Sequence, residues 1–421
     1  TNSGYRAVYS YNSSSNTYDV ILASNPSGAA VLFYAGRNNT VSLSTMAGSP
    51  AFNASDSDSN TVTGSYLWSA AFFAAQFDTT ADNNAIRLST MASGAGGYAA
   101  LYITNSSSNA VSGSYVFNSA GPGAHLTNGA SSNTIASSYI SAPANYGVVI
   151  NVNAGGNAIS LSTVSGGTGS PALQMSDVAS NTVTSSYLGG AGGNAASLDT
   201  NARGNVISQS TLTATGAGSI ALYVNASSNT VTGSWLLSLA GHAVAVQSGN
   251  YNVISLSTMI AGSTGYRALQ MDDSDRNMVT SSYLQNAGGH GVFLQTGSDD
   301  NTISFSTMVS GGAGYAALYA NSSDSNTVTG SLITNPAGYG AYLDAGADRN
   351  TITLSTMSSD SAGNAALYIT ANSSNAIWSS YVQGSTAAYV VGSTGTVIGG
   401  SVLVATNTAG AALAWESGVN L

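Results

Sequence analysis

Residues 229–236 read Asn-Thr-Val-Thr-Gly-Ser-Trp-Leu, and residues 326–333 read Asn-Thr-Val-Thr-Gly-Ser-Leu-Ile. Variants of this phrase recur along the chain, nearly always 24 residues apart, with occasional steps of 21, 23 or 25. A fixed period of this length is typical of a solenoid, in which each repeat packs only on its neighbours. The repeat therefore determines the expected architecture of the whole chain.

The apolar residues of each repeat fall in short runs of strand length and follow no helical spacing. A second run occupies the other half of the repeat, as in residues 99–102 (Ala-Ala-Leu-Tyr), and glycine-rich turns separate the runs. Two or three strands per repeat predict an all-β fold, a parallel β-helix of about 17 coils stacked about 4.8 Å apart. We expect residues 1–421 to form a single β-solenoid that starts and ends within a coil.

Two polar columns run through the predicted coils. A serine follows the repeat asparagine by five places, and the next column alternates between threonine and an aromatic residue. We expect the asparagines to form a ladder in which each side-chain amide bonds to the next coil, as in stacked cross-β structures. The asparagines of this ladder are Asn39, Asn60, Asn84, Asn109, Asn133, Asn157, Asn181, Asn205, Asn229, Asn252, Asn277, Asn301, Asn326, Asn350 and Asn375.

These columns resemble the right-handed parallel β-helix repeats of the pectate-lyase-like superfamily, which share an asparagine ladder and coils of this length. The superfamily includes polysaccharide lyases and hydrolases, phage tailspikes, adhesins and large bacterial surface proteins. The near-identical repeats are most similar to the arrays of the last group, so the resemblance implies an extracellular or cell-surface location.

The charge of the chain excludes several partners. It has 7 Arg and no Lys against 17 acidic residues, for a formal net charge of -10. Nucleic-acid binding needs clustered basic residues, so we expect no such partner. No apolar run approaches the roughly 18 residues that a membrane span requires, so no membrane insertion is expected. The absence of cysteine excludes disulfides and thiolate metal sites.

A column of aspartates stands two places before the repeat asparagine in four consecutive repeats. Its members are Asp275, Asp299, Asp324 and Asp348. Carboxylates about 4.8 Å apart repel one another, and their oxygens suit Ca²⁺. The alternative is a solvated turn in which the aspartates cap the backbone and Arg276 and Arg349 partly neutralise them. Calcium is the only cofactor that the sequence suggests.

Catalytic residues are not expected. Paired carboxylates at this spacing would suit a glycosidase, and Asp272-Asp273 with Gly289-His290-Gly291 superficially resembles the polygalacturonase family. However, those segments lie 18 residues apart and so belong to different columns. The three histidines are not expected to form a metal site, because His125 is remote from His242 and His290.

We therefore expect a non-enzymatic extracellular stalk, adhesin segment or filament subunit, assembled end to end or continued in a longer chain. The alternative is a carbohydrate-binding or carbohydrate-active β-helix, with glycans as partners and the alternating aromatic column as a stacking stripe. We expect those aromatics to stack on one another as coil packing instead. A more remote alternative is an ice-binding solenoid, although aromatics interrupt the threonine column.

Overall fold

The computed structural model describes residues 6–408 and 410–416, and all regular structure there is β-strand. The strands are three to six residues long and form three parallel sheets, which we number in chain order. Strands this short arise because turns rich in Gly, Ser and Asn interrupt every apolar run. The expectation that the chain starts within a coil rests partly on Gly4 and Tyr5, which lie outside the described residues.

The chain divides into two compact units, and the first comprises residues 1–216. Its sheet 1 consists of Val8–Tyr11, Val31–Tyr34, Phe52–Ser55, Ala75–Asp78, Leu101–Thr104, Ala124–Thr127, Val148–Asn151, Leu173–Ser176 and Ala196–Leu198. Its sheet 2 consists of Thr17–Asp19, Thr40–Ser42, Thr61–Thr63, Ala85–Arg87, Ala110–Ser112, Thr134–Ala136, Ala158–Ser160, Thr182–Thr184 and Val206–Ser208. Its sheet 3 consists of Leu22–Asn25, Thr45–Gly48, Tyr66–Ser69, Thr90–Ser93, Tyr115–Asn118, Tyr139–Ser141, Thr163–Gly166, Tyr187–Gly190 and Thr211–Ala214.

The second unit comprises residues 217–421. Its sheet 1 consists of Leu222–Val224, Val244–Gln247, Arg267–Asp272, His290–Gln295, Ala316–Asn321, Tyr339–Leu343, Ala365–Thr370, Thr386–Val391 and Leu413–Trp415. Its sheet 2 consists of Thr230–Thr232, Val253–Ser255, Met278–Thr280, Thr302–Ser304, Thr327–Thr329, Thr351–Thr353, Ala376–Trp378 and Val397–Gly399. Its sheet 3 consists of Trp235–Ser238, Thr258–Ala261, Tyr283–Asn286, Thr307–Ser310, Leu332–Asn335, Thr356–Ser359, Tyr381–Gly384 and Val402–Ala405.

The strand register places equivalent repeat positions on top of one another. In sheet 2, Val231 pairs with Ile254, and in sheet 3, Leu236 pairs with Met259. All four side chains are buried. Because side chains alternate across a strand, the inward positions form a continuous apolar core and the outward positions form columns on each face. The predicted β-solenoid is therefore confirmed.

The asparagine and serine ladders lie at the turns that bound sheet 2. The backbone N–H of Asn109 donates to Oδ1 of Asn133 at 2.9 Å, and its side-chain amide donates to the same oxygen at 3.1 Å. The amide of Asn133 also donates to the carbonyl of Ser106 at 3.0 Å. In the serine column, the N–H of Ser138 donates to Oγ of Ser162 at 3.2 Å. These bonds satisfy backbone groups that the turns would otherwise leave unpaired.

Most of the alternating aromatics do not stack on one another, contrary to the expectation. They occupy outward positions of sheet 3, where Tyr66, Tyr187 and Trp235 are 42–45% exposed. Threonines separate them in alternate coils, so Tyr187 pairs with Thr163 and Thr211. Tyr115 and Tyr139 fall in consecutive coils and do stack, with ring centroids 5.5 Å apart.

The described residues include no helix that could cross a membrane.

Candidate functional site

An aromatic column runs along the outer face of sheet 1 in the second unit. It contains Phe293, Tyr319, Tyr342, Tyr368 and Tyr389, which the strand register pairs in consecutive coils. Neighbouring ring centroids are 4.8, 5.1, 4.8 and 5.3 Å apart. Each of these residues is flanked in its strand by buried aliphatic side chains, so its ring lies on the outer face of the sheet, where Phe293 is covered and the tyrosines are half-buried.

A groove of about 380 Å³ opens beside the C-terminal end of this column, next to Tyr368 and Tyr389. Tyr339, Tyr368 and Tyr389 line it together with residues 362–364 of the turn that follows sheet 3. Its remaining lining includes Ala365, Thr386 and Ala414. In the strand register Ala365 pairs with Thr386, and the coil before them carries Tyr339. The change from a large ring to small side chains leaves the space for the groove.

Two carboxylates border the aromatic column: Asp344 stands two residues after Tyr342, and Glu416 stands two residues after Ala414, which pairs with Tyr389. The hydroxyl of Tyr319 donates to Oδ2 of Asp344 at 2.5 Å, and the hydroxyl of Tyr389 donates to Glu416. Burial, followed by the hydrogen bond to Asp344, raises the pKa of Tyr319. The hydrogen bond to Glu416 raises the pKa of Tyr389 to about 12. Both phenols therefore remain protonated donors at neutral pH.

Arg267 and two histidines lie at the other end of the column. The Arg267 guanidinium lies 4.9 Å from the centroid of the Phe293 ring. The backbone N–H of Arg267 donates to Nδ1 of His242, and that of Ala316 donates to Nδ1 of His290, both at 3.1 Å. Burial, followed by the charge of Arg267, lowers the pKa of each histidine to about 4. Both are therefore neutral at pH 7 and serve as acceptors in the structure.

The aspartate column forms a ladder with the backbone. The N–H of Asp299 donates to Oδ1 of Asp275 at 2.9 Å, and the N–H of Asp324 donates to Oδ1 of Asp299 at 2.6 Å. The same bond joins Asp348 to Asp324 at 2.9 Å. Arg349 pairs with Asp324 at 2.7 Å. Burial raises the pKa of Asp299. These contacts correspond to the capped-turn alternative, while calcium binding stays a prediction.

The other residues considered as metal ligands or catalytic groups lie apart. His290 pairs with Arg267, and Asp272 pairs with Gln295, so the polygalacturonase-like segments occupy different columns of sheet 1. Among residues 6–408 and 410–416, no three His, Asp or Glu side chains converge closely enough to hold a metal ion.

Sequence reasoning missed the aromatic column, although a signal was present. Tyrosine follows the apolar run Ala-Ala-Leu at residues 316–318 and again at residues 365–367. Each tyrosine stands one place after a core leucine, and side-chain alternation directs it outwards. The intervening strand at Tyr339–Leu343 follows a different phrase, so only the register shows that Tyr342 belongs to the same column.

The chain belongs to the family described as the right-handed β-helix region, whose model matches residues 69–236, 219–387 and 267–421. No curated protein matches the chain with significant sequence similarity.

Solved structures share the fold at low identity. The Dettilon tailspike protein is 15% identical with a TM-score of 0.49, and the match covers 75% of this chain and 62% of that one. The periplasmic alginate epimerase AlgG is 12% identical with a TM-score of 0.43, covering 71% and 73%. The DFA-IIIase of Arthrobacter chlorophenolicus A6 is 12% identical with a TM-score of 0.38, covering 70% and 83%. The chain thus spans less than two thirds of that tailspike.

These neighbours correct two expectations. They are a tailspike, an epimerase and a DFA-IIIase, so the expectation of a non-enzymatic stalk, adhesin segment or filament subunit is wrong. The expectation that the chain is no enzyme is wrong for the same reason. The alternative, a carbohydrate-binding or carbohydrate-active β-helix, stays a proposal. At such identities the likeness itself shows the fold alone, so a site must be argued from the residues of this chain.

Proposed function

We propose that the chain is a carbohydrate-active β-helix that binds a glycan along sheet 1 of its second unit. The observation that carries this proposal is the groove lined by Tyr339, Tyr368 and Tyr389. Its volume of about 380 Å³ lies within the range of small-ligand sites, which combine aromatic walls with a few polar groups. An extracellular or surface-associated location is part of the same proposal.

The groove offers both kinds of contact that a sugar ring uses. Tyrosine rings provide apolar surface for the C–H face of a pyranose or furanose, and their hydroxyls are polar. Asn364 and Thr386 also line the groove, and Glu416 lies at the hydroxyl of Tyr389. Their amide, hydroxyl and carboxylate groups are suitable partners for sugar hydroxyls.

The charges near the groove favour a neutral glycan over a uronic-acid polymer. Asp344 and Glu416 border the aromatic column, and the chain contains no lysine that could pair with a sugar carboxylate. Arg267 lies over Phe293, at the opposite end of the column. A uronate would therefore meet like charge, which opposes binding.

The proposal assigns Asp344 and Glu416 to binding. They stand in the same column three coils apart, so about 14 Å separates their backbones. An inverting glycosidase holds its two carboxyl groups only about 6.5–9.5 Å apart. These two groups therefore do not form such a pair.

Calorimetry with a panel of neutral and uronate oligosaccharides tests the proposal, with release of reducing ends measured on the same panel. We expect a neutral oligosaccharide to bind, Tyr368→Ala to weaken binding at least tenfold, and Tyr368→Phe to retain most of it. Tyr187→Ala, on sheet 3 of the first unit, is the matched control and should change nothing. Failure of every oligosaccharide to bind, or equal binding by Tyr368→Ala, would contradict the proposal.

A further inference from the structure

Large apolar side chains protrude from the turn between sheets 2 and 3 of the second unit. Leu256, Phe305 and Leu354 occupy the same position in alternate coils and are 67–70% exposed. Their φ angles of 50°, 48° and 51° lie in the left-handed region, which bulky residues rarely adopt. In coils between them, Gly330 adopts a φ of 58° at this position, as its lack of a side chain allows. The turn itself therefore does not require a large residue.

A second set of exposed apolar residues occupies the intervening coils. Trp235, Tyr283, Leu332 and Tyr381 occupy the first outward position of sheet 3. The coils that carry Leu256, Phe305 and Leu354 have threonine there instead. We call these seven apolar residues the apolar zigzag, because they alternate between the turn and the sheet.

The zigzag has small gaps between its large side chains. A Cβ at Gly330 would lie 2.9 Å from the Phe305 ring, so this ring extends across the neighbouring coil. Thr258, Thr307 and Thr356 pair in register with the large residues of sheet 3. Each large side chain thus has a small one beside it, and an identical surface turned around and shifted by one coil would interlock with it.

The face that carries the zigzag has no charged residue. The strands of sheet 3 in this unit contain no Asp, Glu, Lys or Arg, and neither do the turns that join them to sheet 2. The unit nevertheless has three Arg against ten acidic residues, all placed elsewhere. Two copies would repel each other through sheet 1 and its following turn, where most of these acids lie, and could approach through sheet 3 without pairing like charges.

We propose that sheet 3 of the second unit binds a second copy of this chain, face to face and in the opposite direction. An interface of this kind is isologous, because each copy uses the same surface. At about 100 Å² for each half-exposed side chain, the seven residues provide roughly 700 Å², close to the ~800 Å² that each partner contributes to a standard interface. The glycan groove on sheet 1 remains open in this dimer.

Sedimentation velocity across a micromolar concentration series tests the dimer. The variant Leu256→Ser, Phe305→Ser, Leu354→Ser removes the protruding residues of the turn. Serine suits this position, since Ser281 and Ser379 adopt a φ of 49° there in neighbouring coils. The comparison variant changes Leu43, Leu88 and Leu161 to serine; these leucines are 65–73% exposed at the same turn of the first unit, so this variant tests whether the interface is confined to the second unit. Circular dichroism and urea unfolding establish that both variants are folded.

We expect twice the monomer mass for the unchanged chain and for the comparison variant, and the monomer mass for the second-unit variant. To become half dimeric, that variant should need a concentration at least tenfold higher than the unchanged chain needs. A monomeric unchanged chain at every concentration would overturn the proposal. Dimerisation that survives in the second-unit variant would also overturn it, because the interface would then lie on another face.

Discussion

Sheet 1 carries a series of aromatic rings in the core of the first unit and another on the outer face of the second. In the first unit, Phe33, Phe52 and Phe77 point inwards and form an edge-on series with centroids 5.5 and 6.2 Å apart. In the second unit, the rings from Phe293 to Tyr389 stand on the outer face of the corresponding sheet. A shift of one residue along a strand exchanges these two outcomes. The same sheet can therefore carry a series of aromatic rings in its core or on its exposed face.

The outer face of the first unit lacks a comparable column. Its equivalent positions hold Gln76, Tyr102, His125, Val149 and Gln174, which are mixed in size and polarity. The groove of the second unit therefore arises from a local choice of side chains, because both units share the same backbone arrangement and ladders.

The largest expected difference concerns the inward and outward rings. Phe52→Ala should destabilise the protein by about 3–5 kcal/mol, because Phe52 is fully buried and leaves a cavity between two other rings. Tyr342→Ala should lower stability by only about 1 kcal/mol, since its side chain lies on the outer face. Urea unfolding measures both. Equal losses would show that the outer column is as important for folding as the core.

The buried histidines should make stability depend on pH. His242 and His290 have pKa values of about 4, whereas the unfolded chain titrates near 6.5. As pH falls, the unfolded state takes up protons first, so stability decreases between about pH 6.5 and 4, by roughly 2–3 kcal/mol for each histidine. The double variant His242→Gln, His290→Gln should lose less over this range in urea unfolding. His125→Gln in the first unit, where burial also lowers the pKa, is the comparison. An unchanged pH profile in the double variant would contradict the assigned cause.

The asparagine ladder should contribute equally in both units. Asn133→Ala and Asn301→Ala each remove an oxygen that accepts two donors from the preceding coil. We expect a loss of about 1–3 kcal/mol in each case, because buried donors are left without partners. Thr302→Ala, an outward neighbour, should stay within about 0.5 kcal/mol. A large difference between Asn133 and Asn301 in urea unfolding would mean that the ladder does not support the two units alike.

The smallest expected effect concerns calcium. Four consecutive aspartates stand in the second unit, whereas Asp58 and Asp82 form the corresponding pair in the first. If the longer column binds Ca²⁺, the ion should stabilise it by about 0.4 kcal/mol when its concentration equals the Kd. The double variant Asp299→Asn, Asp324→Asn should abolish this gain in thermal unfolding. Asparagine keeps the ladder oxygen, as Asn250 does in accepting the N–H of Asp275. If calorimetry detects no heat of binding at millimolar calcium, the aspartates serve only as backbone caps.

The sequence by itself determined the solenoid, the length of its coils and its ladders. Asn109, Asn133 and their equivalents repeat at a constant interval, and a side chain that bonds to its own image in the next coil needs only that interval to be positioned. The core positions follow similarly, because an apolar residue such as Val231 recurs two places after each asparagine. Local periodicity is enough for these features, since each coil contacts mainly its neighbours.

Only the tertiary structure decided which residues meet on the faces. Tyr342 and Tyr368 belong to repeats of different wording, and strand register alone brings their rings within 4.8 Å. The exposure of Leu256 and Phe305 was also not predicted from the sequence, because an apolar residue next to a strand is normally assigned to the core. Their left-handed backbone turns them outwards instead. Side-chain direction depends on backbone dihedral angles and on the coil above, and neither is specified by the repeat period.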